Sequence, residues 1–526
     1  MSFHKLLFPT VFAGAAAGLI LTGFVLADDG GNGGPAGQWT LMGQNLSNTR
    51  SQPAERTIGP GNVGGLAPQW TFMTGGDVSA TPTVLENHVY FPDWAGNLYA
   101  VRADTGEKEW SRTISSYNGQ AGSISRVSPA VLDDELIFGD NMAASVMHNG
   151  AHIIAVDRGN GRLRWITQVD THPAAIITGS PVVSGGVVYV GVSSNEEALA
   201  ANDAYPCCTF RGSMVALDAQ TGAMLWKTYV VPENFGKTGG YSGNAIWQPP
   251  AIDPASSTLY IGVGNNYTAP QSVLDCQAQG RQDCAAADDH FDSALALDTI
   301  TGTIKWSRRL QGFDVWTVAC TSAPPGVNCP DPASPDYDLG GSGPNLVGKI
   351  VGFGQKSGVY WALNPGNGEI VWSTIVGPGS TLGGIEWGTA TDGARIYAAI
   401  TNRKRVSYQL QPNGPTIDWG SWAALDVATG KIVWQVADPT PGGLDMGSVS
   451  VANGVVYAGS FPAGKVYGLS AATGAVLWQF ASGGAVIDGP SIVNGMLFWG
   501  IGYSHIKPGV ASNKVIAFGL PKKGDR

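Results

Sequence analysis

A hairpin that ends in tryptophan recurs seven times in this chain of 526 residues. Each copy combines a strand, a turn in which Thr or Asn precedes Gly, and a second strand closed by tryptophan, as in LDVATGKIVW. Glycine adopts the positive φ that such a turn requires, so the pattern favours a β-hairpin. A further strand, such as VVYVGV or VVYAGS, lies upstream of each copy. The seven tryptophans are Trp110, Trp165, Trp226, Trp306, Trp372, Trp434 and Trp478.

Units of three or four short strands with a period of 40 residues or more are typical of β-propeller blades. An eighth unit starts at IDGPSIVNGMLFWG, but no tryptophan hairpin follows it. Near the other end, WTFMTGGDVSATPTVLEN from Trp70 matches WQFASGGAVIDGPSIVNG from Trp478. We therefore predict an all-β, eight-bladed propeller of four-stranded blades over residues 38–520. Residues around 66–74 would supply the outer strand of blade eight and leave no open edge.

Composition supports this fold and excludes other classes of protein. Glycine contributes 74 residues, which disfavours helices, and the chain is 43% hydrophobic, which excludes a disordered chain. The formal net charge is −10 and no basic stripe is present, so we expect no binding of nucleic acid. We expect the repeat tryptophans to pack between blades and to take no part in chemistry.

The first residues predict export. His4 and Lys5 precede an apolar run over residues 6–26, and cleavage after Ala27 would remove a signal peptide of residues 1–27. A membrane anchor is the alternative, because the run is about 21 residues long. Residues 28–37 form a glycine-rich lead-in and residues 521–526 a short tail. No second apolar run of spanning length follows, so we expect a periplasmic or secreted protein without a membrane span after cleavage.

Six cysteines follow the signal peptide, and an even count in an exported protein predicts disulfides. Cys276 with Cys284, and Cys320 with Cys329, are close enough in sequence to staple loops. Cys207 and Cys208 are adjacent, and we expect them to bond to each other, although either could pair elsewhere. None of the six lies in a CxxCH motif, so the sequence encodes no covalently attached haem c.

Candidate functional residues lie where strands end near the ring axis. Glu196 and Glu197 follow the strand of GVSSNEE, and Asn265 occupies the equivalent point of the next blade. Carboxylate and amide oxygens are ligands that suit calcium, although two solvated carboxylates and a turn-capping asparagine would look the same. Trp247 is not a repeat tryptophan, and at the ring centre it could stack on a flat cofactor.

The repeat, the blade count and these residues resemble the quinoprotein alcohol dehydrogenases, which bind pyrroloquinoline quinone (PQQ) and Ca²⁺. The stretch NEEALAANDAYPCCTFRGSMVALDAQTG is most similar to their polyvinyl alcohol dehydrogenase branch. The resemblance implies that Glu196 and Asn265 bind the metal and that Trp247 floors the quinone. It implies quinone contacts from Arg126, Lys356, Thr178, Trp387 and the Cys207–Cys208 disulfide.

The catalytic base of the family matches PDYDLGGSGPNLV, where Asp338 is favoured as base or metal ligand and Asp336 is the nearest competitor. We expect a turn between the two to send them to different tasks. A pair of loop aspartates that caps a turn is the structural alternative. Thr317 replaces the aspartate of a related Trp-Asp pair, and Glu386 stands where relatives often carry Asn beside Trp387.

The resemblance implies an exported dehydrogenase that oxidises alcohols to ketones or aldehydes, with secondary alcohols and polyvinyl alcohol as candidate substrates. Without haem c, electrons would leave to an external acceptor such as a cytochrome c. The alternative is a non-catalytic propeller that serves as a scaffold for protein assembly, because the tryptophan repeat alone occurs in such proteins too.

Overall fold

The computed structural model describes residues 37–281, 284–462 and 464–521. Within them the chain forms eight antiparallel sheets that follow one another along the sequence as blades of a β-propeller, which confirms the predicted fold class. The predicted signal peptide, residues 28–36 of the lead-in and residues 522–526 of the tail lie outside the described part of the chain.

Each of the first four blades contains four consecutive strands, numbered here from the axis outwards. Blade 1 comprises Thr83–Leu85, His88–Pro92, Asn97–Arg102 and Lys108–Thr113; blade 2 comprises Ala130–Leu132, Glu135–Gly139, Ala151–Asp157 and Leu163–Asp170. Blade 3 comprises Val182–Ser184, Val187–Ser194, Ser213–Asp218 and Met224–Tyr229; blade 4 comprises Ala251–Asp253, Thr258–Gly262, Ser293–Asp298 and Ile304–Arg309.

The second half of the ring repeats this plan. Blade 5 comprises Asn345–Val347, Ile350–Gly354, Val359–Leu363 and Ile370–Ile375; blade 6 comprises Ala390–Thr391, Arg395–Asn402, Ser421–Asp426 and Ile432–Ala437. Blade 7 comprises Ser450–Ala452, Val455–Ser460, Lys465–Ser470 and Val476–Ala481; blade 8 comprises Ser491–Val493, Met496–Ile501, Lys514–Gly519 and Ala67–Met73. Alternating polar and apolar residues in the outer strands fit a sheet edge with one wet face.

Shorter elements extend the blades and their insertions. Short strands at Gln38–Trp39, Ala175–Ile176 and Gly383–Gly384 extend blades 1, 3 and 6, and two small ribbons pair Ser242–Gly243 with Asn266–Thr268 and Tyr408–Gln409 with Thr416–Ile417. The described helices are Ser115–Asn118, Glu196–Leu199 and Gln271–Ala278, with 3₁₀ turns at Val63–Gly65 and Val318–Thr321. None of them combines the length and the apolar character needed to cross a lipid bilayer.

The ring closes as the sequence predicts. Strand Ala67–Met73 pairs antiparallel with Lys514–Gly519, so the N-terminal part of the chain supplies the outer strand of blade 8. Trp70 takes the position of a repeat tryptophan there, and its Nε1 donates a hydrogen bond to the carbonyl of Ala103 in blade 1, at 2.9 Å. Blade 8 is thereby bonded to blade 1, and the eighth sheet has its full complement of four strands.

Every repeat tryptophan bonds its own blade to the next one. Nε1 of Trp226 donates to the carbonyl of Thr299, and the ring lies against Gly302 in the same turn. Nε1 of Trp478 donates to Leu66, directly before the closing strand. The equivalent donors are Trp110, Trp165, Trp306, Trp372 and Trp434. The predicted role of these tryptophans in inter-blade packing is confirmed.

The segment of residues 38–52, here called the axial segment, follows the inner strands of the blades around the ring. It pairs with blade 1 at Gln38–Trp39 and then bonds to the other blades in turn. Its bonds reach Val131, Ser180, Ile252, Leu346, Thr391, Val451 and Ile492, from blade 2 to blade 8. The axial segment therefore satisfies inner-strand groups that would otherwise face the axis unpaired.

The three disulfides occur as predicted. Cys207 bonds to Cys208, Cys276 to Cys284 and Cys320 to Cys329. The peptide between Cys207 and Cys208 is cis. The two longer bridges close loops of eight- and nine-residue separation in insertions that follow blade strands. These insertions, rather than the blades, carry much of the polar site described next.

Candidate functional site

A buried ammonium group lies between two aspartates at the start of blade 5. Nζ of Lys356 is 2.6 Å from Oδ2 of Asp338 and 3.1 Å from Oδ1 of Asp336. Lys356 sits in the turn between the second and third strands of the blade, and the aspartates precede its first strand. The expected separation of the two aspartates by a turn is therefore not found, because both carboxylates reach the same ammonium group.

Blades 3 and 4 complete this cluster. The backbone N–H of Asn265 donates to Oδ1 of Asp338 at 2.8 Å. Glu197, in the short helix after blade 3, offers a carboxylate oxygen that lies within 4.8 Å of oxygens from Asp336 and Asp338. Oε1 of Glu197 is buried and has no hydrogen-bond partner among the described residues. Three carboxylates around an unpartnered oxygen are a donor set suited to a hard cation.

The electrostatics of the cluster follow from its burial. Burial raises the pKa of Glu197 to about 8, and the negative charge of Asp338 adds to the effect while Lys356 opposes it. Burial also raises the pKa of Asp336 well above its usual value, again against the pull of Lys356. Burial alone would lower the pKa of Lys356, but Asp336 and Asp338 raise it, so the ammonium group stays charged.

Glu196 differs from its sequence expectation. Its carboxylate is fully buried and accepts hydrogen bonds from the N–H groups of Thr209 and Phe210 and from the hydroxyl of Tyr205. Both oxygens are therefore occupied by the loop that carries the disulfide, and the adjacent Glu197 is the glutamate that joins the aspartates. Neighbours in the first turn of a helix point in different directions, which a sequence match of one residue does not capture.

Asn265 keeps an oxygen available beside the cluster. Its side-chain amide donates to the carbonyls of Asn266 and Trp316, both at 2.9 Å. Those bonds use the nitrogen and leave Oδ1 without a bond from the described residues. The arrangement agrees with the predicted role of Asn265 as an oxygen ligand, and it places Thr317, which donates to Asn328, outside the cluster.

Two tryptophans and a glutamate lie above Lys356. Trp247 and Trp387 meet edge to face with ring centroids 5.0 Å apart, and Nζ of Lys356 is 5.7 Å from the ring centre of Trp247. Gly340 and Gly341 pack so closely on Trp247 that a Cβ on either would lie within 2.8 Å of its ring. Burial raises the pKa of Glu386, which precedes Trp387, to about 8.

Arg126 lies in a box of aromatic rings. Its guanidinium carbon is 4.5 Å from the ring centre of Trp387, 5.3 Å from that of Trp94 and 5.4 Å from that of Tyr503. No carboxylate pairs with it among the described residues. A guanidinium with free donors and aromatic walls is well suited to a flat anion.

The remaining sequence candidates are more distant from the cluster contacts. Oγ1 of Thr178 accepts a hydrogen bond from Ser193 at 2.9 Å, in the strand of blade 3 that leads to Glu196. Cys208 is fully buried and Cys207 half-buried, both against the same apolar cluster as Trp247. No printed bond joins either cysteine to Lys356 or the aspartates.

Asp314, which sequence reasoning set aside with Thr317, supports the aspartates from behind. Its carboxylate accepts bonds from the backbone N–H groups of Asp336 and Tyr337 and from the hydroxyl of Ser334. Asp336 has a φ of 58°, in the left-handed region that non-glycine residues rarely adopt. Asp314 thus fixes an unusual backbone at the site, and its position in FDVWT gave no signal of that role.

Several buried polar atoms around these residues lack partners within the described part of the chain. They are Oε1 of Glu197, Oε1 of Glu386, Nε1 of Trp387, Oε1 of Gln248 and Nε2 of Gln355. A buried polar group without a partner costs about 1–3 kcal/mol. Their concentration beside Trp247 and Lys356 indicates a place for a polar ligand and a cation.

Comparison with family models gives two matches. A model described as the β-propeller domain of glucose, ethanol and alcohol dehydrogenases, named for PQQ, matches residues 39–334. A model of the outer membrane protein assembly factor BamB matches residues 420–506. The first match spans blades 1 to 4 and the segment that bears the disulfides.

Curated relatives and solved structures agree with the first model. A polyvinylalcohol dehydrogenase of Sphingopyxis sp. (strain 113P3) is 31% identical over 90% of this chain and 73% of its own length, and one of Pseudomonas sp. is 30% identical over 89% and 73%. The quinohemoprotein alcohol dehydrogenase structure from Comamonas testosteroni has a TM-score of 0.70 at 19% identity, covering 93% of this chain and 81% of that one. BamB from Moraxella catarrhalis, at a TM-score of 0.53 and 15% identity over 86% and 99%, shares the fold alone.

Proposed function

This chain belongs to the family of PQQ-dependent alcohol dehydrogenases, and from that premise we propose that it oxidises secondary alcohols with PQQ and Ca²⁺ held at the Lys356 cluster. It is a PQQ-dependent oxidoreductase that acts on alcohols. The metal, the residues that hold the cofactor, the substrate and the electron acceptor are the proposed parts.

The observation that carries the proposal is the buried group of Lys356, Asp336, Asp338 and Glu197. Burying several charges is costly unless they are paired or bind a metal. A scaffold propeller gains nothing from that cost, whereas an enzyme needs charged groups at its reacting centre. The match to an assembly-factor model covers only residues 420–506, in blades 6 to 8, away from this group.

The residues present fit a metal ion. Glu197 has an unpartnered buried oxygen, two aspartate carboxylates lie within 4.8 Å, and Oδ1 of Asn265 is left unused by the bonds of its amide nitrogen. We propose Glu197, Asn265 and Asp338 as ligands of Ca²⁺, with Glu197 in the role that the sequence gives to Glu196. All are hard oxygen donors, as calcium prefers.

The residues also fit a flat, anionic cofactor. Trp247 offers a ring braced by Gly340 and Gly341, and Arg126 offers a guanidinium without a carboxylate partner. We propose that Trp247 stacks on the quinone, that Arg126 binds its carboxylates and that Trp387, Thr178 and the Cys207–Cys208 disulfide complete the pocket. When bound, PQQ supplies the acceptor for the hydride of the alcohol, polarised by the neighbouring cation.

The protein's own part in the reaction is to orient the alcohol and to take its proton. We propose Asp338 as the base, since its carboxylate is held on one oxygen by Asn265 and on the other by Lys356. The positive charge of Lys356 stabilises negative charge that develops beside it. Asp336, whose pKa burial raises, holds a proton more readily and serves to fix Lys356. Asp336 remains the competitor for the role of base.

Substrate, acceptor and location complete the proposal. Two relatives are named for polyvinyl alcohol, so we propose secondary alcohols, including that polymer, as substrates. Because no cysteine lies in a haem-binding motif, electrons pass to a separate acceptor such as a cytochrome c. Three disulfides fit an oxidising compartment, so we propose a periplasmic or secreted protein.

Reconstitution tests the proposal. Purified protein is titrated with PQQ, with and without Ca²⁺, and the absorption of the quinone and dye-linked oxidation of a secondary alcohol are followed. We expect saturable PQQ binding, activity only with both additions, and loss of activity in Glu197→Gln. If PQQ binds no better than to the Lys356→Met variant, and no alcohol is oxidised, the proposed site is refuted.

A further inference from the structure

Two adjacent glutamates at the start of one short helix have opposite surroundings. Glu197 reaches the aspartate cluster and keeps an unpartnered oxygen. Glu196 is fully buried and turned towards the loop of residues 205–210, here called the disulfide loop because it contains Cys207 and Cys208. The two side chains therefore connect one helix to two parts of the site.

Glu196 holds the disulfide loop at both ends. Oε1 accepts from the hydroxyl of Tyr205 at 3.0 Å, before the disulfide, and from the N–H of Thr209 at 2.8 Å, directly after it. Oε2 accepts from the N–H of Thr209 at 3.0 Å and from that of Phe210 at 2.7 Å. His172 lies 3.6 Å from Oε1 and its Nε2 is 3.0 Å from Oγ1 of Thr209.

Only an ionised carboxylate satisfies this set of donors. It accepts on both oxygens and donates on neither, and its bonds to backbone N–H groups are charge-assisted. A glutamine in its place would direct an NH₂ group at one of the N–H donors and leave it buried without an acceptor. The demand for a charge at Glu196 is thus explained by the loop, without a metal.

The helix that begins at Glu196 is itself anchored. Its first N–H, that of Glu196, donates to Oγ of Ser194 at 2.8 Å, and Nδ2 of Asn195 donates to the carbonyl of Met142 at 3.0 Å. A second contact comes from the Cys320–Cys329 insertion, where the amide of Asn328 donates to Ala200, Asn202 and Tyr205. Movement of Glu197 is therefore transmitted to Glu196 through one peptide bond.

We infer that Glu196 is a positioning residue that ties the disulfide loop to the helix bearing Glu197, so that a cation bound at Glu197 also orders the disulfide loop. The inference rests on the proposed function for the cation and on the contacts of Glu196 for the loop. It separates two roles that a sequence match assigns to one glutamate.

The test uses the full chain without PQQ and Ca²⁺ as the probe. Calorimetry gives the Ca²⁺ affinity, and hydrogen exchange gives the protection of the Thr209 and Phe210 amides with and without Ca²⁺. In Glu196→Gln we expect exchange of these amides to be at least about tenfold faster and no longer slowed by Ca²⁺. The variant keeps measurable Ca²⁺ binding, weakened by about 10–100-fold as for an outer-shell partner. Glu197→Gln should show the reverse: intact amide protection without Ca²⁺, and loss of Ca²⁺ binding.

Glu233→Gln is the matched control. Its exposed carboxylate also accepts from two consecutive N–H groups, of Asn234 and Phe235, in a neighbouring loop. It should leave both readouts unchanged, and Glu196→Asp, which keeps the charge, should restore part of the protection. If Glu196→Gln abolishes Ca²⁺ binding while the Thr209 and Phe210 amides stay protected, Glu196 is the ligand and the inference fails. If the wild-type protein binds no Ca²⁺, the proposed metal site fails, whereas unchanged amide protection in Glu196→Gln refutes the loop anchor by itself.

Discussion

The outer part of the ring and the Lys356 cluster satisfy their polar groups in opposite ways. At the outer strands every repeat tryptophan finds a carbonyl of the next blade, as Trp226 finds Thr299. Around Lys356, buried oxygens of Glu197 and Glu386 have no partner among the described residues. One region is complete by itself, and the other is arranged for something that the protein has yet to bind.

This difference separates stability from function. Satisfied, repeated contacts between blades add up to a rigid ring, and each is worth only a modest amount. Buried charges and unpartnered atoms lower stability and are kept where chemistry requires them. Substitutions at the outer strands should therefore change stability with little effect on turnover, and those in the cluster should do the opposite.

The largest effect is expected in the cluster. Asp338→Asn removes the proposed base while keeping its size, so turnover should fall by at least about 10²-fold. The measurement is dye-linked alcohol oxidation by protein loaded with PQQ and Ca²⁺, together with the melting temperature, which should change little. Asp218→Asn is the control, since that aspartate caps a repeat turn through Thr221 and should leave turnover intact.

Asp336→Asn decides between the two aspartates. Normal turnover in Asp338→Asn with loss in Asp336→Asn would transfer the role of base to Asp336. Normal turnover in both would make the segment structural and remove the base from the proposed mechanism.

The second largest effect is expected between blades. A Cβ on Gly302 would lie 2.6 Å from the ring of Trp226, and its φ is 72°. Gly302→Ala should lower stability by roughly 2–4 kcal/mol, through the left-handed backbone and the displaced ring together. Thermal unfolding measures the loss. Gly185→Ala, at a φ of 57° with no atom near the new Cβ, isolates the backbone cost of about 1 kcal/mol. Equal losses in the two variants would contradict the packing argument.

The same comparison explains what the sequence could predict. Trp70 and the closing strand were found because a periodic contact leaves a periodic pattern, and one missing copy reveals where the ring closes. The axial segment has no such pattern, since its bonds to the blades come from irregular backbone. The roles of Glu196 and Glu197 depend on where the disulfide loop lies, which is a tertiary contact. A neighbouring pair of carboxylates was visible, but not its orientation.

A pH dependence is expected from Glu386. Its pKa is raised to about 8 in the folded protein by burial, from an ordinary value of 4.5. Between these values the folded state holds a proton that the unfolded state has lost, so stability falls as pH rises from about 5 to 8. The slope from one such group is at most about 1.4 kcal/mol per pH unit.

Glu386→Gln should flatten this part of the profile, because glutamine stays neutral in both states. Melting temperatures of protein without cofactor, taken at half-unit steps of pH, measure it. A Glu386→Gln profile as steep as that of the wild type would show that Glu386 is ionised in the folded protein at neutral pH.

The smallest effect tests whether the outer contacts are interchangeable. The hydroxyls of Thr167, Thr228 and Thr374 each donate to the carbonyl of a turn glycine in the next blade, at 2.6–2.8 Å. Replacing any one with valine keeps the shape and removes the bond, which should cost about 1 kcal/mol. Because the three sites are copies of one contact, the three losses of melting temperature should agree, and turnover should not change. Unequal losses would mean that the blades differ in rigidity. Reduced turnover in Thr228→Val alone, next to the blade that carries Asn265, would mean that blade 4 transmits packing changes to the cluster and that the two regions are not independent.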